Sequence, residues 1–241
     1  GAIGPKTRVI AISHVAFATG YRTDLETLGA ACRERGIFLV VDAAQSAGAV
    51  DFKVSELPID ILASSGDKWL LGPFGTGFTY IHPSILERLP VREVNWMSVE
   101  GSSNLGEPGG GPLRFREGAR RFDIPEAASF LNLHGFIASL SFLARVGIAS
   151  VETHTRRLHD RLINDLGSTR LRVASDLSPG RRSGILALEG SSHEETRAIF
   201  RRLREHGVVV SLRENFIRVS PHIYNTRADI ETFLEIAAGV R

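Results

Sequence analysis

The chain has 241 residues, 43% of them hydrophobic, which is enough for one large domain or two smaller ones with apolar cores. The formal net charge is +2, from 29 basic and 27 acidic residues, and this balance gives no electrostatic case for binding nucleic acid or an anionic membrane. No apolar run approaches the ~20 residues of a membrane span, the N-terminus lacks the apolar region of a signal peptide, and the single cysteine excludes an internal disulfide framework. We therefore expect a soluble cytoplasmic protein.

Short apolar segments in the first third of the chain predict buried strands, with a helix after the first of them. The helix is expected in "TDLETLGAACRERG", where Thr23 can cap the start, Leu25, Leu28 and Cys32 share one face, and Gly36 ends it. Strands that are apolar on every side and alternate with helices are typical of a mostly parallel sheet covered on both faces, so we predict an α/β fold. The predicted strands are residues 8–13, 37–41, 60–64 and 77–81.

The later part of the chain changes character twice. Residues 89–118 lose periodicity and include the segment "GEPGGGP", which predicts a loop, and a long helix is expected over 127–166 with a possible break near Gly147. From about residue 170 the order strand, helix, strand, strand, helix predicts a small α+β domain over 170–241, which leaves 1–165 as the larger domain. Its strands are "SGILALE", "VVVSL" and "FIRVS", and its helices are "SHEETRAIFRRLREHG" and "TRADIETFLEIAAGV".

Polar residues follow three of the predicted strands at the point where each strand ends. His14 follows the first, Asp42 and Gln45 follow the second, and "SSGDK" with Lys68 follows the third. Ligands of open α/β sheets bind beyond the carboxyl ends of the strands. Taken singly, Asp42 is more typical of a turn cap and Lys68 of a solvated surface. Together they suit pyridoxal 5′-phosphate, because a lysine forms a Schiff base with its aldehyde and a carboxylate keeps its ring nitrogen protonated.

Two motifs carry a family resemblance. "VVDAAQS" is followed by "SSGDKWLLGPFGTGF", with Asp42 and Lys68 26 positions apart, and this pattern resembles the class V aminotransferases. That family of fold-type-I pyridoxal-phosphate enzymes includes cysteine desulfurases, isopenicillin-N-epimerase-like proteins and kynureninases. The likeness extends from "ISHVAFATGYRTDLETLGAACRERG" into "LREHGVVVSLRENFIRVSPHIYNTRADIE" and so covers essentially the whole chain. It implies pyridoxal 5′-phosphate as cofactor, an amino-acid substrate and a homodimer, and makes residues 1–165 a partial large cofactor-binding domain.

The resemblance also implies roles for individual residues, and no metal site. Lys68 corresponds to the Schiff-base lysine and proton shuttle, Asp42 to the partner of the pyridinium nitrogen, and Gln45 to the residue that faces the ring oxygen. Ser65 corresponds to a phosphate contact.

Two further positions complete the implied site. Arg218 corresponds to the arginine that binds the substrate α-carboxylate, where a guanidinium fork matches two carboxylate oxygens. His14 lies in the stretch that runs near the cofactor, although a histidine that only satisfies its own loop is an equally good interpretation of this residue.

Four positions depart from the family pattern. Asp67 replaces the histidine of the desulfurases, and its charge should keep it from touching the phosphate directly; Phe17 replaces an asparagine. Ser129 is a weak substitute for a Gly-Thr pair that contacts the phosphate of the partner subunit. A desulfurase needs a nucleophilic cysteine in the small domain, but the chain's one thiol, Cys32, lies on the apolar helix face, so we expect no desulfurase activity.

The family usually has a long region before the equivalent of Arg8, which supplies a phosphate-binding helix terminus and the side chain stacked on the cofactor ring. We therefore expect the chain alone to be unstable or to bind pyridoxal phosphate weakly. A non-catalytic remnant or interaction module of the same fold is the alternative function. A Rossmann-type nucleotide binder is disfavoured, because "GPFGTGF" does not match G-x-G-x-x-G and precedes a strand.

Overall fold

A computed structural model describes residues 3–101, 112–124 and 130–239. Ser129 and most of the glycine-rich segment "GEPGGGP" lie outside these ranges, as do the predicted first residues of the long helix and the last residue of the closing helix.

The first sheet contains four strands in the order β1-β2-β3-β4. The first three strands run parallel and β4 runs antiparallel to β3, which confirms the predicted mostly parallel sheet. Ser13 lies beside Asp42, and Asp42 lies beside Ala63, so the carboxyl ends of the three parallel strands meet at one edge. The strands are β1 Val9–Ser13, β2 Phe38–Asp42, β3 Ile61–Ser65 and β4 Gly77–Ile81.

Helix α1, Leu25–Glu34, begins one residue later than predicted. Its N-cap is Asp24, whose carboxylate accepts a hydrogen bond from the Thr27 backbone N–H at 3.0 Å. Thr23, predicted as the cap, instead donates its hydroxyl hydrogen to the Ser13 carbonyl, 3.0 Å away at the end of β1. The buried face consists of Leu25, Gly29 and Cys32, with the predicted Leu28 only partly buried.

Two long helices follow the loop after β4. Helices α3, Phe130–Val146, and α4, Ile148–Asp165, are separated at Gly147, whose φ of 82° a glycine adopts without strain, and this confirms the predicted break. Phe136 and Leu143 of α3 join the core of the first sheet. Short helix α2 is Pro83–Leu86, and 3₁₀ turns occur at Val54–Glu56, Gly118–Phe122 and Leu166–Ser168.

No single helix among residues 3–101, 112–124 and 130–239 has the length and apolar composition of a membrane span. Helices α3 and α4 together would be long and apolar enough, but they are bent by 76° relative to each other.

The second sheet is antiparallel, with the order β5-β6-β8-β7. The two-residue strand β5, Arg172–Val173, was not predicted. Of the predicted strand "VVVSL", only the residues from Ser211 onward pair with β8. Leu158 and Leu162 from the second half of α4 pack in the core of this sheet, so α4 contacts both cores. The elements are β5 Arg172–Val173, β6 Leu186–Glu189, α5 His193–Glu205, β7 Ser211–Arg213, β8 Phe216–Val219 and α6 Arg227–Ala238.

Candidate active site

The loop after β3 holds Lys68 in a closed turn. The Gly72 backbone N–H donates to the Gly66 carbonyl at 2.7 Å, and the Leu71 N–H donates to the Lys68 carbonyl at 3.0 Å. Leu71 has a φ of 56°, a left-handed conformation that is uncommon for a residue with a side chain. The backbone around Lys68 is thus tied in place on both sides of the lysine.

Glycine is required at the start of this loop because two other parts of the fold approach its backbone. A Cβ on Gly66 would lie 2.3 Å from Oγ1 of Thr76 and 2.8 Å from Cε2 of Phe136. Phe136 belongs to α3 and is buried, so it has little room to move. Helix α3 therefore presses the lysine loop against the end of β3.

Lys68 lines two pockets. The first, which we call the sheet-edge pocket, has a volume of about 1100 Å³ and is also lined by Asp42, Ser65 and residues of β4. The second pocket, of about 540 Å³, is also lined by Gln45 and Arg218. The structure therefore brings four of the other five predicted site residues into pockets that Lys68 lines.

The two side chains in the sheet-edge pocket have free hydrogen-bonding capacity. Oγ of Ser65 is buried and has no hydrogen-bond partner in the described part of the chain. Asp42 accepts the Ala44 backbone N–H on Oδ1 at 2.8 Å, which is the turn-capping contact expected for an aspartate at this position. Its Oδ2 makes no hydrogen bond to a described residue, so capping the turn leaves one carboxylate oxygen for a ligand. These two residues and the amine of Lys68 fit a cofactor with a phosphate, a basic ring nitrogen and an aldehyde.

Gln45 is oriented by Trp69, the residue after the lysine. Trp69 Nε1 lies 3.1 Å from Gln45 Oε1. Because the indole N–H can only donate, it selects the carbonyl oxygen of the amide and directs the amide NH₂ away from itself. Gln45 lines a pocket shared with Lys68 and so has two N–H donors for a ligand oxygen there.

An aromatic stack connects the lysine loop to the second sheet. The rings of Trp69 and His222 have centroids 5.4 Å apart with an interplanar angle of 29°, and Tyr224 stacks on the other side of His222, also at 5.4 Å. His222 Nε2 donates to the Trp69 carbonyl at 3.1 Å, and its Nδ1 accepts the Ile223 N–H at 2.8 Å. Burial lowers the pKa of His222, in agreement with the neutral ring that these two contacts require.

Arg218 extends from β8 toward the same lysine. Its Nη1 donates to the Phe17 carbonyl at 3.0 Å, while Nε is buried and has no partner among the described residues. Burial, and secondarily the charge of Arg213, lowers the pKa of Arg218. Phe17, which departs from the family pattern, thus contributes its carbonyl to the site, and its side chain also lines the pocket.

The structure does not bring His14 to Lys68. His14 lines a separate pocket of about 300 Å³ with Arg22 and Arg181, and the edge of its ring packs against Phe52 at a centroid distance of 5.0 Å. Burial, followed by the charge of Arg22, lowers its pKa to about 4. The reason is positional: β1 and β3 lie on opposite sides of β2, and His14 turns away toward Phe52. His14 therefore lines neither pocket that Lys68 lines, and its expected cofactor contact stays a prediction.

Asp67 and Cys32, two further residues singled out in the sequence, do not line the sheet-edge pocket. Asp67 lines the pocket that contains Arg218 but not the sheet-edge pocket that contains Ser65. Cys32 is buried in the core of the first sheet, as predicted, and burial raises the pKa of its thiol.

Sequence reasoning missed Trp69, His222, Tyr224 and Arg213, all of which line the pocket with Arg218. The only available signal was the position of Trp69 beside the lysine. The other three lie more than 140 positions after Lys68 in the chain, so only the folded structure shows that they approach it.

Comparison with known proteins shows the family to which the chain belongs. The family model for class V aminotransferases matches residues 1–233. The chain belongs to the class V aminotransferase family. This confirms the resemblance predicted from the two motifs.

Individual relatives are similar to the chain over nearly its whole length. An uncharacterized aminotransferase, YcbU, of Bacillus subtilis (strain 168) is 28% identical over 98% of this chain and 60% of its own length. Isopenicillin N epimerase of Streptomyces clavuligerus is 32% identical over 95% of this chain and 59% of its own length. Proteins described as probable cysteine desulfurases also match. The chain spans about 60% of the length of the first two relatives.

A solved structure of a C-DES variant has glycine covalently linked to its PLP cofactor. It is 27% identical to this chain, with a TM-score of 0.84, and the match covers 98% of this chain and 61% of that one. The predicted fold-type-I architecture is thereby confirmed, and the cofactor of the class V family is pyridoxal phosphate, as predicted.

Proposed function

We propose that the protein is a pyridoxal-phosphate-dependent enzyme that acts on an amino acid through a Schiff base on Lys68. The observation that carries the proposal is the position of Lys68 between two pockets, one with Asp42 and Ser65 and the other with Gln45 and Arg218. When bound, pyridoxal phosphate supplies a ring that accepts electrons from the carbon next to the substrate amino group. Transamination, epimerisation and elimination all begin with a bond change at that carbon, so the same residue roles serve each of them.

Lys68 has two tasks in this proposal. Its ε-amino group would hold the cofactor at the aldehyde carbon, and as a free amine it would take up or return a proton at the substrate α-carbon. Its loop is fixed by the backbone hydrogen bonds at Gly66 and Leu71, which limits the positions that Nζ can reach.

The other residues bind and orient. Asp42 presents Oδ2 to the ring nitrogen and keeps it protonated, and Ser65 donates its unpartnered hydroxyl to the phosphate. Gln45 donates its amide hydrogen to the ring oxygen, with Trp69 holding the amide in that orientation. Arg218 binds the substrate α-carboxylate, and the free Nε supports this role.

We propose that this activity is not cysteine desulfuration, although desulfurases are among the relatives. Cys32 is 1% exposed and lines neither pocket that Lys68 lines. Because no other cysteine is present in the 241 residues, this chain has no thiol to accept sulfur at the site.

We also propose a homodimer that works in the cytoplasm without contacting a membrane or nucleic acid. Several large apolar side chains of α3 are exposed in the single chain, which supports burial of this face against a second copy. They include Phe130, Leu131 and Ile137. The proposed domain division remains 1–165 and 170–241; each sheet has its own core, and Leu158 and Leu162 from the end of the first range pack in the core of the second sheet.

A visible absorbance spectrum tests the proposed function. Because weak binding is expected of this chain alone, it is incubated with a large excess of pyridoxal phosphate; it should then show an absorbance band that borohydride removes, and Lys68→Ala should not show it. Lys53→Ala is the matched control, because Lys53 is exposed and paired with Glu56 at 2.9 Å, away from both pockets. A chain that takes up no cofactor would favour the alternative, a non-catalytic remnant or interaction module.

A further inference from the structure

A second arginine lies beside Arg218 in the smaller pocket, which we now call the arginine pocket. Ser211 of β7 is directly opposite Arg218 of β8, and Arg213 follows two residues later on β7. Because side chains alternate between the faces of a strand, Ser211, Arg213 and Arg218 all project from the same face of the sheet. Diagonal neighbours of this kind lie roughly 7–8 Å apart, within reach of long side chains.

Neither arginine has a carboxylate partner in the described part of the chain. Arg213 donates from Nη1 to the Leu212 carbonyl at 3.1 Å, and Arg218 donates to the Phe17 carbonyl at 3.0 Å. No ion pair involves either guanidinium within residues 3–101, 112–124 and 130–239. Two adjacent cations that pair with no acid repel each other, and each is available to an anion.

The charge of the whole pocket points in the same direction. Apart from Lys68, which the proposed function assigns to the cofactor, the charged residues described in its lining are Arg213, Arg218 and Asp67, and the Asp67 carboxylate forms no ion pair with either arginine in the described part of the chain. One substrate α-carboxylate would pair with one arginine and leave the other without an acid in contact with it. A substrate with a second negative group would neutralise both, and a volume of about 540 Å³ has room for its side chain.

Building on the proposed function, we infer that the substrate is an amino acid with a carboxylate on its side chain, and that Arg213 binds that carboxylate while Arg218 binds the α-carboxylate. Each guanidinium can make two parallel charge-assisted hydrogen bonds to a carboxylate. Arg213 is therefore a specificity-determining residue.

Two reduced conjugates test this inference without turnover. Phosphopyridoxyl-L-glutamate and phosphopyridoxyl-L-glutamine differ only in a carboxylate and an amide, so they have nearly the same shape and length. Their dissociation constants from the chain can be measured by cofactor fluorescence. We expect the glutamate conjugate to bind about tenfold more tightly, and Arg213→Gln to abolish that preference.

The controls separate this inference from the proposed function. Arg172→Gln, which changes an exposed arginine of β5 paired with Glu189, should keep the preference, and circular dichroism should show that both variants fold. If borohydride attaches the cofactor to Lys68 but the two conjugates bind equally, or do not bind, the inference about Arg213 is wrong and the proposed function stands. An unchanged preference in Arg213→Gln would also overturn it. Failure of the Lys68 attachment itself counts against the proposed function.

Discussion

At Asp42 the same side chain makes a structural and, in our proposal, a chemical contact. Oδ1 caps the turn after β2 through the Ala44 N–H, while Oδ2 makes no hydrogen bond within the described residues. The two tasks use different oxygen atoms, so replacing only Oδ2 by nitrogen should leave the turn intact. The chemical role can therefore be tested separately from the structural one.

We predict that Asp42→Asn retains cofactor binding but slows removal of the substrate α-proton by roughly 10² or more, because a neutral amide cannot keep the ring nitrogen protonated. The measurement is exchange of the α-hydrogen of an amino acid in D₂O, followed by NMR. Asp51→Asn, an exposed aspartate outside the two Lys68 pockets, is the matched control. Exchange as fast in Asp42→Asn as in the unmodified chain would rule out this role.

The predicted residues differ in how far the sequence could place them. Asp42, Ser65 and Lys68 follow strands whose apolar runs are unambiguous, and parallel strands bring their carboxyl ends together. His14 follows a strand by the same rule, but its ring packs on Phe52, a contact that strand order does not encode. Arg213 could not be predicted as a site residue, because its relation to Arg218 depends on the register of β7 against β8.

Among the elements, the lysine loop is the one on which most of the site depends. It is held by α3 through Phe136, by β2 through the turn that contains Gln45, and by the second sheet through His222. The Trp69 side chain contacts Gln45 with its N–H and His222 with its ring, so these two functions can be separated by a single substitution.

We predict that Trp69→Phe keeps the stack on His222 but weakens cofactor binding several-fold, because the Gln45 amide loses the donor that fixes its orientation. Cofactor affinity is measured by absorbance titration in a double-mutant cycle with Gln45→Ala. In the Gln45→Ala background the additional effect of Trp69→Phe should disappear. Equal effects in both backgrounds would mean that Trp69 acts through packing and not through Gln45.

The secondary structure was largely predictable because the strands are short apolar runs and the helices have clear starts and stops. The errors have local causes. The Thr23 hydroxyl bonds to the Ser13 carbonyl, and Asp24 is the residue that caps α1. Strand β5 is only two residues long, which is too short to show a periodic pattern. Val208–Val210 has strong strand propensity, but the ladder with β8 begins only at Ser211.

At the scale of the whole molecule, buried histidines make the free energy of unfolding depend on pH. Burial, the largest cause in each case, lowers the pKa of His14 to about 4 and that of His159 in α4 to about 3, both from 6.5. In the unfolded chain these rings take up a proton below about pH 6.5, whereas in the folded chain they remain neutral until the pH approaches the lowered values. The unfolded state therefore binds more protons in that interval.

We predict that the contribution of these two histidines to the free energy of unfolding is greatest above pH 6.5. It falls as the pH decreases toward 4, by up to ~1.4 kcal/mol per pH unit for each ring. Denaturant unfolding at pH 7.5, 6 and 5 measures the slope. His14→Gln should reduce it, whereas His193→Gln, at an exposed position of α5, should not. A free energy of unfolding that stays constant from pH 7.5 to 5 would contradict this prediction.

The central claim for the whole molecule is that two pockets meet at Lys68 and that this lysine carries the cofactor. The chain contains three lysines, Lys6, Lys53 and Lys68, so the attachment point can be determined without ambiguity. The most direct measurement is borohydride reduction in the presence of pyridoxal phosphate, followed by peptide mass mapping. We expect the mass map to show the phosphopyridoxyl group on the peptide that contains Lys68. A label on Lys6 or Lys53 with Lys68 unmodified would contradict it.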